Sequence, residues 1–104
     1  MSFDINAVLA NMLSAIKETV NGNWDTVKST ANEFIENDKE RLQLLAELRI
    51  SGDLPDEWFQ SRIEDEKIIL EAELNALEVL STAKANQAVN AAFDVLINGI
   101  ILCL

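Results

Sequence analysis

Apolar residues recur at helical spacing in two long runs, and one strong turn separates them. The first run extends from Ile5 to Leu48 and the second from Phe59 to Leu102, with an apolar residue at every third or fourth position over most of each run. A period of about 3.6 residues is typical of amphipathic α-helices. Because 104 residues include only 3 Gly and 1 Pro, the chain offers few turns that could connect strands. We therefore expect one all-α domain.

The turn between the two runs has a clear local signature. Gly52 is suited to the left-handed conformation that ends a helix, and Asp53 is suited to capping the helix that follows. The sequence thus predicts a first helix over residues 4–50, a turn at 51–55 and a second helix over residues 55–102. Folded at the turn, the two helices would form a long antiparallel helical hairpin.

Two interruptions leave a second arrangement open. The segment Asn21–Asn23 has the composition of a turn, and Ser81 could cap a new helix. The apolar phase nevertheless continues from Val20 to Trp24, which favours a continuous helix there. If both sites break their helices, the four shorter helices would form a monomeric four-helix bundle with breaks near Gly22 and Ser81.

The open end of the predicted hairpin carries more apolar surface than two helices can bury. Charged residues are concentrated between Glu33 and Glu78, so both terminal segments are mostly apolar. Burying each large apolar side chain contributes roughly 1.5–3 kcal/mol, so we expect a second copy to cover this end and complete a four-helix bundle. The residues assigned to this self-association are Ile5, Leu9, Met12, Leu13, Ile16, Ala92, Val95, Leu96 and Ile100.

Charge and composition make several partners and compartments unexpected. With 18 acidic and 8 basic residues the net charge is −10, which repels nucleic-acid phosphates and anionic membranes. The charge-free C-terminal run is about ten residues long, whereas a spanning helix needs roughly 20. We expect no nucleic-acid partner and no membrane partner. The single cysteine, Cys103, indicates a reducing compartment, which we take to be the cytoplasm.

The residues that enzymes and metal sites use most are missing or scattered. The chain has no His, so it lacks the commonest general base and the Glu-x-x-His pairs of ferritin-like bundles. Carboxylates at 36–38 and 64–66 could meet across the hairpin and bind a hard cation. Lysine and arginine are interleaved with them, which is typical of a solvated charged face. We expect no catalytic residue, no cofactor and no metal.

Two acidic residues fall on the predicted buried side of their helices. Asp38 lies in phase with the apolar residues of the first run, and Glu66 lies in phase with those of the second. A small rotation of each helix would leave both side chains in water, which is the arrangement we expect. The alternative is a buried polar layer that sets the register between the helices.

The sequence thus predicts a non-enzymatic interaction, scaffold or accessory protein that acts as a homodimer. An unidentified protein partner, in place of a second copy, could also cover the apolar end. Size, acidity and hairpin shape resemble secreted Trp-x-Gly helical hairpins, which would imply a membrane-interacting or secreted effector, although residues 51–53 of this chain are Ser-Gly-Asp. A carboxylate-metal-binding bundle is the remaining alternative.

Overall fold

The computed structural model describes residues 2–104, and this range contains four α-helices and no strand. The helices are α1 (Ile5–Val20), α2 (Trp24–Ser51), α3 (Asp56–Ala76) and α4 (Thr82–Ile101), and a 3-10 turn at Asn21–Asn23 joins the first two. The all-α prediction is confirmed. The arrangement is the four-helix alternative, with breaks near Gly22 and Ser81.

The chain reverses at both of the interruptions that the sequence contains. Asn21 adopts φ 50° and ψ −109°, and Glu78 adopts φ 60°. Positive φ costs an L-residue about 1–2 kcal/mol, so local preference alone does not explain these bends. They persist because each reversal lays an apolar helix face against another. The expectation of continuous helices over 4–50 and 55–102 is therefore wrong at these two points.

The bundle is short because the chain folds back on itself. Its principal extents are 39 × 23 × 20 Å, whereas a continuous helix over residues 4–50 would be roughly 70 Å long. The most extensive helix pair is α1 with α4; α1 also contacts α2, and α3 contacts both α2 and α4. The diagonal pair α2 and α4 meets where Phe34 and Phe93 pack edge to face, with ring centroids 6.4 Å apart.

The turn between α2 and α3 follows its sequence signature only in part. Gly52 has φ 86° and ends α2 in the predicted left-handed conformation. Asp53 does not cap α3: its carboxylate accepts a hydrogen bond from the Ser51 hydroxyl at 2.9 Å instead. The helix begins at Asp56, immediately after Pro55. Because proline has no N–H, the last residue before the helix leaves no donor unsatisfied.

Two of the other three helix starts, those of α1 and α4, have side-chain caps that the sequence predicts. The Asp4 carboxylate accepts hydrogen bonds from the backbone N–H groups of Asn6 and Ala7 at 3.1 and 3.3 Å. The Ser81 hydroxyl accepts one from the backbone N–H of Lys84 at 3.1 Å. These caps satisfy donors that have no partner inside the helix. The Ser81 cap supports the helix break that precedes it.

The residues assigned to self-association lie inside the bundle of a single chain. Those that are buried are Ile5, Leu9, Met12, Ile16, Ala92, Leu96 and Ile100. Leu13 and Val95 are half-buried and pack against the same core. The premise that one chain leaves these side chains in water is wrong. Helices α1 and α4 pack on each other, α1 also packs on α2, and α4 also packs on α3. These side chains are therefore covered without a second copy, and their role in self-association stays a prediction.

Candidate functional site

Large apolar side chains remain exposed on the outer surface of α2 and α3. Leu44 is 54% exposed, Trp58 57%, Ile68 63% and Ile69 42%. Four further exposed apolar side chains lie in the α3–α4 turn or at the end of the described chain: Val79, Ile101, Leu102 and Leu104. The surface around α2 and α3 is therefore one exposed apolar area that two helices of the bundle build together. A second groove, of about 490 Å³, lies between α1 and α4 beside Leu102.

A groove of about 510 Å³ runs between α2 and α3 on this side of the bundle. It is lined by Arg41, Leu44, Leu45, Leu48, Leu54, Arg62, Asp65, Glu66 and Ile69. Apolar walls with a few polar groups are typical of binding sites in proteins. We call the groove together with the neighbouring Trp58 the α2–α3 face.

One edge of the groove is built by a charged cluster that reaches into the core. The Arg41 guanidinium donates to the Glu66 carboxylate at 3.0 and 3.4 Å and lies 3.4 Å from a carboxylate oxygen of Asp38. Asp38 is only 6% exposed and Glu66 only 5%, so the expectation that both face water is wrong. The alternative, a polar layer between the helices, is what the structure has. It joins α2 to α3 at a defined register.

The buried carboxyl group of Asp38 favours its protonated form. Burial raises the pKa of Asp38 to about 7, and the neighbouring carboxyl group of Glu66 adds to that increase, while Arg41 opposes it. One carboxylate oxygen of Asp38, Oδ2, is buried without a hydrogen-bond partner among the described residues. Two like charges this close are costly in a low dielectric, so a proton between them stabilises the layer.

The carboxylates at 36–38 and 64–66, which could have met to bind a cation, are arranged differently in the structure. Asp38 and Glu66 do come together, but the Arg41 guanidinium already provides the positive charge between them. Glu64 points to Lys67, 3.4 Å away. Within residues 2–104 no three His, Cys, Asp or Glu side chains form a possible metal site. In the same range, no helix combines the length and the apolar character needed to cross a bilayer.

A stripe of four exposed side chains on α3 belongs to the α2–α3 face. Trp58, Arg62, Asp65 and Ile69 are spaced by four, three and four residues, which places them on one side of a helix. All four are exposed, and within residues 2–104 neither Arg62 nor Asp65 forms an ion pair. Arg49, by contrast, lies 3.6 Å from Asp56.

Sequence reasoning missed this stripe for a definite reason. The order apolar, basic, acidic, apolar was readable at positions 58, 62, 65 and 69. The apolar period of the second helix indicates only its buried side, and charged positions on the opposite side are typical of a solvated surface. Only the packing of α3 against α2 and α4 shows which side of the helix is left without a partner.

The fold and the site together define an all-α bundle with an exposed apolar and charged face. Comparison with known proteins gives no match, since no family model, no curated protein and no solved structure is significantly similar to this chain. Four-helix bundles carry many unrelated functions, so fold alone assigns none. Any functional inference must rest on the side chains of the α2–α3 face.

Proposed function

We propose that this is a non-enzymatic interaction protein that acts as a homodimer and associates through the α2–α3 face. The observation that carries the proposal is the exposure of Leu44, Trp58 and Ile69 beside an apolar groove. Elsewhere along the bundle, the large apolar side chains on the inner faces of the helices are covered by the chain itself. A second copy would cover the α2–α3 face.

A two-fold dimer suits such a face because it uses the same surface twice. Burying an apolar side chain of this size fully contributes roughly 1.5–3 kcal/mol, and Leu44, Trp58 and Ile69 are about half exposed. Covering three or four such side chains on each copy therefore contributes roughly 5–12 kcal/mol, which is comparable to the cost of association of about 4–15 kcal/mol. The net charge of −10 on each chain opposes association at long range. Salt screens such repulsion beyond about 8 Å at physiological ionic strength, so local contacts decide the outcome.

Two further observations support a non-enzymatic role. The chain has no His, and the buried carboxyl group with the raised pKa is engaged with Arg41 and Glu66 rather than open to a substrate. A structural role in joining α2 to α3 accounts for this cluster. We include a reducing, cytoplasmic compartment in the proposal, because the single cysteine, Cys103, has no partner with which to form a disulfide in its own chain.

The test is the solution mass of the purified protein by light scattering at about 0.15 M NaCl, the ionic strength at which the screening length was taken. We expect twice the chain mass of 11.6 kDa. The variants Leu44→Glu and Ile69→Glu should reduce the mass to that of one chain while the far-ultraviolet circular dichroism stays helical. A charged group buried in an apolar interface without a partner strongly opposes association. The matched control is Val79→Glu, which alters a residue of similar exposure (40%) in the α3–α4 turn.

Three outcomes decide the proposal. Loss of the dimer in the two face variants, with the control still dimeric, would support it. A wild-type protein that stays monomeric at high concentration would overturn it. A dimer that persists in both Leu44→Glu and Ile69→Glu would show that another surface associates and would also overturn it.

A further inference from the structure

We infer that in this homodimer α3 of one copy packs antiparallel to α3 of the other, with Arg62 opposite the partner's Asp65 and Trp58 opposite the partner's Ile69. The inference rests on the proposed function and adds to it the geometry of the interface. It follows from the order of side chains on one exposed side of α3. The order along the helix is apolar, basic, acidic, apolar, so two antiparallel copies place apolar residues opposite apolar residues and each charge opposite the opposite charge.

The four positions are symmetric about one point of the helix. Residues 58 and 69 are equally far from the midpoint between residues 63 and 64, and so are residues 62 and 65. A two-fold axis through that midpoint therefore places each apolar residue opposite an apolar one and each charge opposite its complement. In an isologous interface, every such contact occurs twice.

The contact between α2 and α3 places a further apolar side chain near the same axis. The Arg41–Glu66 ion pair, at 3.0 Å, aligns residue 41 of α2 with residue 66 of α3. Since the helices run in opposite directions, Leu44 lies about level with Ile63, next to the midpoint. Leu44 is 54% exposed on the groove side. The interface would thus have apolar contacts at its centre and at both ends, with the ion pairs between them.

The charges on the stripe are available for a partner. Within the described chain, 2–104, Arg62 and Asp65 form no ion pair, although Arg41 and Arg49 on α2 both do. An isolated ion pair on a wet surface contributes little, but one enclosed by apolar neighbours is less exposed to water and more discriminating. Trp58 and Ile69 would provide that enclosure. The pairing also supplies local attraction against the long-range repulsion of two acidic chains.

The experiment exchanges the two charges separately. In Arg62→Asp both stripe positions become acidic, and in Asp65→Arg both become basic, so each variant would face like charges in its own dimer. We expect each variant alone to dimerise about ten- to a hundredfold more weakly than the wild type. An equimolar mixture of the two should form a heterodimer, because the aspartate introduced at position 62 of one variant would then face the arginine introduced at position 65 of the other.

Matched controls separate register from net charge. Glu64→Arg makes the same charge change as Asp65→Arg one residue away, on a side of α3 that does not line the groove. Lys84→Asp makes the same change as Arg62→Asp, on α4. Both controls should dimerise within about threefold of the wild type, which is under about 1 kcal/mol. The mass of each sample and of the mixture is read by light scattering and sedimentation velocity.

The outcomes distinguish this inference from the proposal on which it rests. A monomeric wild type overturns the homodimer and the register together. A dimeric wild type that loses the dimer in Ile69→Glu, but not in Arg62→Asp or Asp65→Arg, keeps the proposed face and overturns the register. The register is also overturned if both single-charge variants are weakened but their mixture gains nothing. The antiparallel pairing is supported if each variant dimerises weakly by itself and the equimolar mixture of the two dimerises as well as the wild type.

Discussion

Asp38 and Glu66 are buried opposite each other between α2 and α3, and both contact the same guanidinium, that of Arg41. The guanidinium itself is largely exposed, so Arg41 bridges the core and the surface of the α2–α3 face. One positive charge balances one of the two carboxylates. The other carboxyl group, that of Asp38, is most stable when it is protonated, because burial raises its pKa. The stability of this layer therefore depends on pH.

We expect Asp38→Asn to stabilise the protein above neutral pH. The pKa of Asp38 is raised from 3.8 to about 7 in the folded protein, so the folded state binds more protons than the unfolded state between these values. Its contribution to stability is therefore complete below about pH 4 and is lost as the pH rises through 7. The loss is at most about 4 kcal/mol, and water around the exposed Arg41 screens part of it. Asparagine carries no charge and can donate its amide N–H to Glu66.

Urea unfolding at pH 5 and pH 8 measures this effect. Wild type should lose more stability than Asp38→Asn between the two pH values. The comparison removes the general repulsion among the other acidic groups, which both proteins share. Glu36→Gln, at an exposed position of the same helix, is the control and should behave like wild type. An identical pH dependence in wild type and Asp38→Asn would contradict the buried, proton-retaining layer.

Glu78→Gly should raise the stability of the bundle. Glu78 has φ 60° in the turn between α3 and α4, where an L-residue is strained by about 1–2 kcal/mol and glycine is not. Part of the gain is lost because glycine has more freedom in the unfolded chain, so we expect about 1 kcal/mol and a few degrees in Tm. Glu40→Gly, inside α2, should instead lower Tm by a similar amount. A lower Tm for Glu78→Gly would refute the chain reversal described here.

Leu96→Asp should unfold the single chain rather than merely dissociate a dimer. Leu96 is completely buried in the core of α4, and an unpaired carboxylate there has no compensating contact. The cost is expected to exceed about 4 kcal/mol, which is most of the stability of a small domain. Leu102→Asp is the control, because Leu102 is 68% exposed. Circular dichroism would show a helical control and a largely unfolded core variant; a folded Leu96→Asp chain would argue against this core.

Gly99→Leu should weaken the packing of α1 against α4. A Cβ atom at Gly99 would lie 3.2 Å from Cγ2 of Val8 and 3.7 Å from the ring of Phe3, so a larger side chain must push the helices apart. Overpacking of this kind typically costs about 1–3 kcal/mol. Asn98→Leu, at an exposed neighbouring position, should cost little. Thermal unfolding of both variants gives the comparison, and equal Tm values would exclude a close approach at Gly99.

Much of the local structure could be predicted from particular residues. The helical period, the left-handed end of α2 at Gly52 and the caps at Asp4 and Ser81 depend on interactions within a few positions of the chain. The same reasoning failed at Asp53, whose carboxylate binds Ser51 rather than the next helix. Several polar groups compete for a carboxylate in a tight turn, and spacing does not say which one is closest.

The candidate site was less predictable because it depends on helix orientation. Asp38 and Glu66 were recognised as lying in the apolar phase, but a small rotation would have moved both into water. The Arg41 contact that holds them in the core joins positions 25 residues apart. The exposure of Trp58 and Ile69 likewise depends on which side of α3 its neighbours leave uncovered. Neither property is contained in a local pattern.

The amino-acid sequence by itself determined that this chain is helical, where its central turn falls and which faces of its helices are apolar, because propensity, capping and periodicity act over short distances. Tertiary structure decided whether the chain continues or reverses at Asn21 and Glu78. The local conformational preferences for a continuous helix and for a reversal differ by only about 1–2 kcal/mol, whereas reversal buries whole apolar faces of α1 and α4 within one chain. That non-local gain turned the expected hairpin into a bundle and left the α2–α3 face exposed.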